Sequence, residues 1–205
     1  MATARLTSHA RREAILDAAV KLFSEKGFRG VTTRELAAAT GVTEPVLYQH
    51  FETKRDLYRA LIEERAVVGD RRIPTSFESE FEPIGDDREF LIRLANGIIG
   101  WHVSDPAYVR LLMFSALEQH ELSDIFYDQY SHAFFRELAA YFERRAAEGA
   151  FRDIDPMLAA MTFATLVGHY GLSQAIFKRC PTNAPQQQVV EGFVDIFLEG
   201  IKKRS

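Results

Sequence analysis

The sequence predicts an all-α protein of about nine helices. Apolar residues recur at intervals of three and four along most of the chain, as expected for helices with one buried face. Glycines and Asp-Pro pairs interrupt these stretches where helices would end or begin. No stretch shows the strict alternation of apolar and polar residues that is typical of a strand. With 205 residues, of which 47% are apolar, the chain has ample material for one large core or two small ones.

The first helix is expected to begin at Ser8, which can cap it, and to run to Lys26. Gly27 is expected to end it, because glycine readily adopts the left-handed conformation that closes a helix. Phe28 then has the position of the hydrophobic contact that follows such a stop. The buried stripe of this helix is predicted to consist of Ile15, Ala18, Ala19, Leu22 and Phe23.

Two short helices around a tight turn are predicted between residues 31 and 51, VTTRELAAATGVTEPVLYQHF. Thr32 and Glu35 fit the S/T-x-x-E capping box, in which each side chain satisfies a backbone N–H at the helix start. Gly41 supplies the left-handed end of the first of these helices, and Thr43 can cap the second. Such an arrangement is typical of a helix-turn-helix, whose second helix enters the major groove of DNA.

The second short helix is predicted to present a compact exposed face. At 100° per residue, Leu47 and Phe51 point inward while Pro45 and Gln49 lie on the opposite side. A glutamine amide can bond an adenine edge, an arginine a guanine edge, and apolar side chains can press on a thymine methyl. The residues predicted to read bases are Arg34, Pro45 and Gln49, and those predicted to contact phosphates are Thr33, Thr43, Tyr48, His50 and Lys54. Glu44 can either accept from a cytosine amine or repel phosphate, and both possibilities stay open.

The stretch TTRELAAATGVTEPVLYQHFETKRDLYRAL is similar to the signature of the TetR family of one-component bacterial transcription regulators. The similarity rests on the turn glycine, the LYQHF motif, a lysine three residues after Phe51 and a following leucine, all at the family spacing. It covers about the first 65 residues, and the remainder agrees in length and helical character. The resemblance implies a homodimeric repressor that binds a near-palindromic DNA operator and is released by a small-molecule inducer.

A fourth helix is expected from Thr53 to about Val68, and the resemblance implies that it joins the DNA-binding part to the regulatory part. Residues 69–87, GDRRIPTSFESEFEPIGDD, combine glycine, proline, serine and acidic residues, which is typical of a linker. They can form a short helix pinned to the body by two phenylalanines, or stay partly mobile. The predicted domains are 1–53 for DNA binding, 54–87 for the connecting helix and linker, and 88–205 for ligand binding and dimerisation.

Five further helices are predicted in the body, where apolar stripes alternate with breaks. Two of them begin at Asp-Pro pairs, since proline is favoured in the first turn of a helix. Their expected bounds are Arg88–His102, Pro106–Gln119, Ser123–Glu148, Pro156–Lys178 and a last helix after residue 185 that ends near Lys203.

Charges are unevenly distributed along the chain. The formal net charge is −4, yet residues 1–59 hold ten Lys and Arg against seven Asp and Glu, which leaves fifteen against twenty-two for the rest. A basic head on an acidic body fits a small DNA-binding unit joined to a ligand domain. Cys180 is the single cysteine, so no intrachain disulfide is possible. No apolar run approaches the roughly 18 to 20 residues that span a bilayer, and no signal peptide is recognisable, which predicts a cytoplasmic protein.

Aromatic residues with polar tips occur on several body helices, a composition that suits an apolar ligand pocket with a few hydrogen-bonding groups. The residues predicted to line it are Trp101, Tyr108, Tyr130, Phe134 and Tyr170. Gly168 and Gly171 each cost a helix about 1 kcal/mol relative to alanine, so another helix is expected to approach closely there. The resemblance implies a four-helix bundle with a second copy, through Gly168, Gly171, Leu172, Val190, Phe193, Val194 and Phe197. Packing within the chain's own core is the alternative for both groups.

Two alternatives without a DNA role remain, a small-molecule enzyme and a helical adaptor that binds protein through its aromatic body. An enzyme or metal site would have to use His102, His120, His132 and His169, whose spacing is poor. No HExxH, CxxC, GxSxG or glycine-rich phosphate loop occurs, so no catalytic residue, metal site or cofactor is predicted. An adaptor would leave Arg34 and Gln49 unexplained.

Overall fold

Ten α-helices make up most of the chain that the structure describes. The computed structural model describes residues 7–67, 86–179 and 182–202, apart from the side chains of residues 64–67, 121, 122, 129 and 130. The helices are α1 (Ser8–Lys26), α2 (Thr33–Thr40), α3 (Glu44–His50), α4 (Lys54–Val67), α5 (Asp87–Ser104), α6 (Pro106–Leu117), α7 (Glu121–Phe126), α8 (His132–Ala147), α9 (Pro156–Leu172) and α10 (Gln186–Ile201). Two π-helical stretches, Tyr127–Ser131 and Ser173–Phe177, follow α7 and α9. The described residues contain no strand beyond one isolated bridge between Phe151 and Lys202, and the all-α prediction is confirmed.

The predicted ends of the first helices are confirmed, with one shift at the start of α1. Thr7, not Ser8, caps this helix, because its hydroxyl accepts from the Ala10 N–H at 3.2 Å. Gly27 ends α1 with a φ of 69°, and Gly41 ends α2 with φ 66° and ψ 25°. Both conformations have the positive φ that glycine adopts without a steric penalty.

The chain folds as two compact units, neither of which is continuous in sequence. We call Met1–Val68 with Ala107–Phe126 the head unit, and Gly69–Pro106 with Tyr127–Ser205 the body unit. The head unit therefore includes α6 and α7 from the middle of the chain. The functional division into 1–53, 54–87 and 88–205 stays a prediction, since the expected linker falls largely outside the described residues.

The core of the head unit forms where the apolar faces of its helices meet. Its buried large side chains include Ile15, Phe23, Leu36, Leu47, Leu57, Tyr58, Leu61, Ile62 and Leu111. Two tyrosine hydroxyls tie α4 to α6. Tyr58 donates to the Leu111 carbonyl at 3.2 Å, and Tyr108 donates to the Ile62 carbonyl at 3.0 Å. Each ring is buried while its hydroxyl keeps an acceptor, which avoids the cost of an unpaired polar group.

The core of the body unit is formed by α5, α8, α9 and α10. Its buried side chains include Phe90, Leu91, Leu94, Leu138, Phe142, Phe163, Val167, Val190, Val194 and Phe197. A polar cluster closes one end, where Asp87 accepts from Arg145 Nε at 2.7 Å and from the Tyr141 hydroxyl at 2.5 Å. Burial and the neighbouring Asp87 carboxylate both raise the pKa of Tyr141, so its hydroxyl stays a donor. The cluster ties the start of α5 to α8.

Three helices of the sequence prediction differ in the structure. The helix expected from Pro156 to Lys178 is α9, which ends at Leu172, followed by the π-helical stretch Ser173–Phe177. The helix expected from Ser123 to Glu148 is instead α7, a π-helical stretch and α8. A π-helical turn inserts a residue into the helical repeat, and the spacing of apolar residues does not reveal it. In addition, α6 ends at Leu117, short of the expected Gln119, because Gln119 has a φ of 51° and cannot continue the helix.

Candidate DNA-binding surface

A capping box and an ion pair position the start of α2. The Thr32 N–H donates to Glu35 Oε2 at 2.8 Å, and the Glu35 N–H donates to the Thr32 hydroxyl at 3.2 Å, as the sequence predicts. Lys26, the last residue of α1, places its ammonium 2.6 Å from Glu35 Oε1. The ammonium and the Thr32 donors together lower the pKa of Glu35 to about 2. The charged form of Glu35 therefore joins the end of α1 to the beginning of α2.

The turn between α2 and α3 is closed by backbone hydrogen bonds. The Gly41 N–H donates to the Ala38 carbonyl at 3.2 Å, and the Val42 N–H donates to the Ala37 carbonyl at 3.0 Å. The left-handed Gly41 makes this reversal possible. The turn sets the direction in which α3 leaves α2, as in a helix-turn-helix.

A side-chain hydrogen bond joins the first residues of α2 and α3. The Thr33 hydroxyl donates to Glu44 Oε2 at 2.8 Å, and both side chains are half-buried. Thr43 occupies the N-cap position of α3, but its side chain makes no capping hydrogen bond, contrary to the sequence prediction. The Glu44 carboxylate is therefore held at the start of α3 by a partner on α2.

The predicted reading face of α3 is accessible. Pro45 and Gln49 are exposed and Tyr48 is 44% exposed, whereas Leu47 on the opposite side is 2% exposed. Arg34 on α2 is also exposed. Access of this kind is what contact with base edges and phosphates requires. The individual contacts to DNA stay predictions.

Two of the predicted phosphate contacts, His50 and Lys54, are half-buried. The Lys54 ammonium donates to the Val31 carbonyl at 2.7 Å and lies 4.1 Å from the centre of the Phe28 ring. Burial lowers the pKa of Lys54. Lys54 thus supports the segment between α1 and α2 from inside the head unit, a role that the sequence did not predict. A phosphate contact would have to be made in addition to this one.

The predicted pocket residues are distributed over both units. Tyr108 lies in the head unit, and the side chain of Tyr130 falls outside the described residues. Phe134 and Tyr170 belong to the core cluster of the body unit. Trp101 is half-buried, and its ring meets that of His102 edge to face at 4.8 Å.

His102 explains why a glycine is needed on the facing helix. A Cβ added at Gly171 would lie 3.1 Å from His102 Nδ1 and 3.2 Å from its Cγ. The same Nδ1 lies 2.8 Å from the Ile98 carbonyl, so the ring carries its proton there. Burial lowers the pKa of His102, which favours the neutral ring. The close approach expected at Gly171 therefore exists, but its partner is α5 of the same chain.

The remaining predicted interface residues divide into two groups. Val190 and Val194 have no exposed surface and Phe197 is 6% exposed, because all three face the core of their own protomer. Residues already buried in this way have almost no surface left to lose to a second copy. Gly168, Leu172 and Phe193 are half-buried and keep some accessible surface.

The most exposed apolar side chains of α9 and α10 are not among the predicted interface residues. Leu158 is 55% exposed, Met161 48% and Ile196 69%. The spacing of apolar residues in the sequence gives little indication of these three positions. Each lies outside the apolar stripe that is assigned to the core, so only a second apolar face on the same helix would have revealed them.

The described residues contain no cluster of three or more His, Cys, Asp or Glu that could hold a metal ion. None of the described helices combines the length and apolar character needed to cross a membrane.

Comparison with known proteins gives both halves of the chain a family. Residues 15–61 match the family model of bacterial regulatory proteins of the tetR family. Residues 101–200 match the model of the C-terminal domain of AefR-like transcriptional repressors. Both models describe regulators that act on DNA, not enzymes.

Three known proteins illustrate the similarity. The class D tetracycline repressor of Escherichia coli is 44% identical over 69 residues, 33% of this chain and 32% of that protein, so the chain matches about a third of its length. The nucleoid occlusion factor SlmA of Sodalis glossinidius (strain morsitans) is 31% identical over 165 residues, 78% of this chain and 80% of that protein. The structure of the flavonoid-responsive regulator FrrA is 26% identical, with a TM-score of 0.67 over 97% of this chain and 100% of that one.

The helix-turn-helix geometry, the two matched models and a relative that spans most of the chain agree with one another. This chain belongs to the TetR family of DNA-binding transcription regulators.

Proposed function

We propose that this regulator is a ligand-released repressor that binds a near-palindromic operator as a homodimer, in the cytoplasm where it can reach the operator. The exposed face of α3, with Pro45, Tyr48 and Gln49 outward and Leu47 buried, is the observation that carries the proposal. A twofold dimer would present two such helices to successive major grooves, about 34 Å apart. An inducer in the body would change that spacing and weaken binding without unfolding the protein.

We assign base reading to Arg34, Pro45 and Gln49, and phosphate contacts to Thr33, Thr43, Tyr48, His50 and Lys54. The Thr33 hydroxyl is already bonded to Glu44, so Thr33 would meet phosphate through its backbone N–H at the start of α2. The same bond supports Glu44 as an acceptor for a cytosine amine, because it restrains the carboxylate at the start of α3.

Selection of binding sites from a random duplex library tests the proposal most directly. The winning sequence is then titrated with protein at several salt concentrations. We expect a consensus with twofold symmetry and a steep loss of affinity with salt, since several phosphates are contacted per half-site. A library that shows no enrichment would contradict operator binding.

Gln49→Ala tests the reading face itself. We expect a loss of about 1 to 3 kcal/mol that is concentrated at one base position of each half-site, with the salt dependence unchanged. Gln188→Ala removes an exposed glutamine from α10 and serves as the matched control, with no expected change. Equal losses for Gln49→Ala on operator and on random DNA would contradict base reading by Gln49.

We propose that the ligand is an apolar small molecule that binds in the body unit near Trp101, Phe134 and Tyr170, with Tyr130 as a further lining residue. The half-buried Trp101 supports this placement, because its neighbour His102 packs on Gly171, the residue after Tyr170. The likeness to FrrA, a flavonoid-responsive regulator, supports an aromatic ligand. Tyr108 lies outside this proposed site, because its hydroxyl donates to the Ile62 carbonyl inside the head unit.

We propose that the dimer forms through the outer faces of α9 and α10. Leu158, Met161 and Ile196 supply exposed apolar surface there. Gly192 and Gly200 lie four residues before and after Ile196, and a Cβ at either would meet nothing within 4 Å. Two small residues around one large residue would let a second helix approach closely. Of the residues predicted for the interface, the half-buried Gly168, Leu172 and Phe193 would lie at the edge of this interface. The buried residues Gly171, Val190, Val194 and Phe197 are not part of it.

A further inference from the structure

A carboxylate that follows α6 reaches the segment between α1 and α2. Glu118 Oε2 accepts from the Phe28 N–H at 2.9 Å, and Glu118 Oε1 accepts from the Arg29 N–H at 3.3 Å. The two partners are separated by 90 and 89 residues in sequence, yet both belong to the head unit. Hydrogen bonds to an ionised acceptor are about twice as strong as those between neutral groups.

Gly27 leaves the space that this carboxylate occupies. A Cβ at Gly27 would lie 2.4 Å from Glu118 Oε1 and 3.2 Å from Phe114 Cδ1. Gly27 also has a φ of 69°, which a residue with a side chain adopts only with strain. The end of α1 is therefore shaped for Glu118 as well as for the change of chain direction.

Further groups of α6 and the residues after it hold the same region. The His120 ring packs against Phe28 at 4.4 Å and against Tyr58 at 5.3 Å. Arg110 Nε donates to the Ser24 carbonyl, in the last turn of α1, at 3.1 Å. Burial raises the pKa of Tyr58 to about 12, so its hydroxyl remains a donor to α6. Glu118 is therefore one of several residues, with Arg110 and His120, that contact the end of α1 and the residues after it.

The anchored segment leads directly into the helix-turn-helix. Residues 28–32 connect α1 to α2, and they are held by Glu118 at one end and by the Lys54 bond to the Val31 carbonyl at the other. The direction of this segment sets where α2 begins. The Thr33 bond to Glu44 and the Gly41 turn fix α3 relative to α2, so the position of α2 also determines the position of α3.

We propose that Glu118 is a positioning residue for DNA binding, whose carboxylate fixes the segment between α1 and α2 and thereby the orientation of the reading helix α3. The proposal rests on operator binding by α3 as proposed above. It adds a residue that is far in sequence from the helix-turn-helix and directly follows α6, a helix outside that motif. Loss of the carboxylate lowers the fraction of molecules in the binding-competent arrangement, and the apparent affinity for the operator falls in proportion to that fraction.

Substitution of Glu118 has two effects on DNA affinity, the loss of a negative charge and the loss of a positioning contact, and these have opposite signs. Glu118 is a negative charge in a unit that binds a polyanion, so removing that charge alone should leave DNA binding unchanged or strengthen it slightly. Removing a positioning contact should weaken binding. Glu25, an exposed residue two positions before Gly27, provides a control that loses the same charge near the same segment.

The experiment compares the full-length wild type with Glu118→Gln, Glu118→Ala and Glu25→Gln on the operator obtained by selection. We expect Glu118→Gln to lose about tenfold in affinity and Glu118→Ala to lose more, because the amide keeps one acceptor oxygen. The salt dependence should be unchanged in both, since the bound state contacts the same phosphates. Glu25→Gln should bind as well as the wild type or slightly better.

Amide hydrogen exchange and circular dichroism separate positioning from unfolding. Exchange at Phe28 and Arg29 should accelerate in the Glu118 variants and not in Glu25→Gln, while the far-UV spectrum at the titration temperature stays that of the wild type. Operator affinity of Glu118→Gln equal to that of Glu25→Gln would overturn the proposal alone. A wild type that selects no operator would overturn the proposed function and this proposal with it.

Discussion

Trp101 is the only tryptophan of the chain, and it lies half-buried on α5 beside His102. Its fluorescence therefore reports on the proposed ligand site without a label. We expect Trp101→Ala to bind operator like the wild type but to respond more weakly to the inducer, because a large apolar contact to the ligand is lost. Compounds that quench Trp101 in a screen of aromatic small molecules would be tested for operator release.

Tyr127→Ala is the matched control for Trp101→Ala, since Tyr127 is an aromatic residue of the body unit that is 59% exposed. Its operator release should follow that of the wild type. If the inducer releases Trp101→Ala from the operator as well as it releases the wild type and Tyr127→Ala, the ligand does not bind near Trp101.

Single residues were predictable where their chemistry is local. The Thr32–Glu35 capping box and the Gly41 turn depend on neighbours within a few positions, so the local sequence is sufficient to predict them. The contacts of Lys54 with Val31 and of Glu118 with Phe28 depend on partners 23 and 90 residues away. Both charged residues were visible in the sequence, but no periodicity indicates which distant backbone group a charged side chain meets.

The helices α2 and α3 both follow a threonine at the N-cap position, but only one of these threonines caps its helix. Thr32 accepts from the Glu35 N–H at 3.2 Å, whereas Thr43 makes no capping hydrogen bond with its side chain. We expect Thr32→Ala to lower the free energy of unfolding of the head unit by about 1 kcal/mol, and Thr43→Ala to leave it nearly unchanged. Urea denaturation followed by circular dichroism, without DNA, measures both. Equal losses would show that Thr43 caps α3 in solution.

Helices as elements were predicted well because apolar spacing and stop residues are read directly from the chain. The π-helical stretches after α7 and after α9 were missed, since such a stretch leaves the apolar pattern of the flanking turns recognisable. The close approach expected at the glycines of α9 is present at Gly171, where a Cβ would lie 3.1 Å from His102 Nδ1. The approaching group belongs to α5 of the same chain, and the sequence does not say to which chain an approaching helix belongs.

Ile196 tests the proposed dimer. It is 69% exposed on α10, and a twofold axis beside it would bring two copies of any substituent close together. We expect Ile196→Glu to yield monomers, because two carboxylates would be buried without partners in an apolar interface. Sedimentation velocity gives the mass, and operator affinity should fall because one copy reaches one half-site.

Val103→Glu places the same charge on an exposed apolar position of α5, 40% exposed in the protomer, and should leave the dimer intact. If Ile196→Glu forms dimers as stable as those of the wild type, the interface does not lie on the outer face of α10. The sequence prediction names the same pair of helices as this proposal, but most of the residues that it selects lie on their inner faces. Both faces of α10 carry apolar residues, and the more continuous stripe is the one that the protomer uses for its own core.

The discontinuous head unit also has a consequence for protein synthesis. Residues 7–67 leave the ribosome well before Leu111 and Glu118, on which Tyr58, Phe28 and Arg29 depend for their acceptors. At translation rates of about 5 to 20 residues per second, the intervening stretch delays completion of the head by roughly three to ten seconds. During that interval the nascent helix-turn-helix exists without its anchor. A polypeptide released early, before residue 107, would thus be a poor competitor for the operator although it contains every residue of the reading helix.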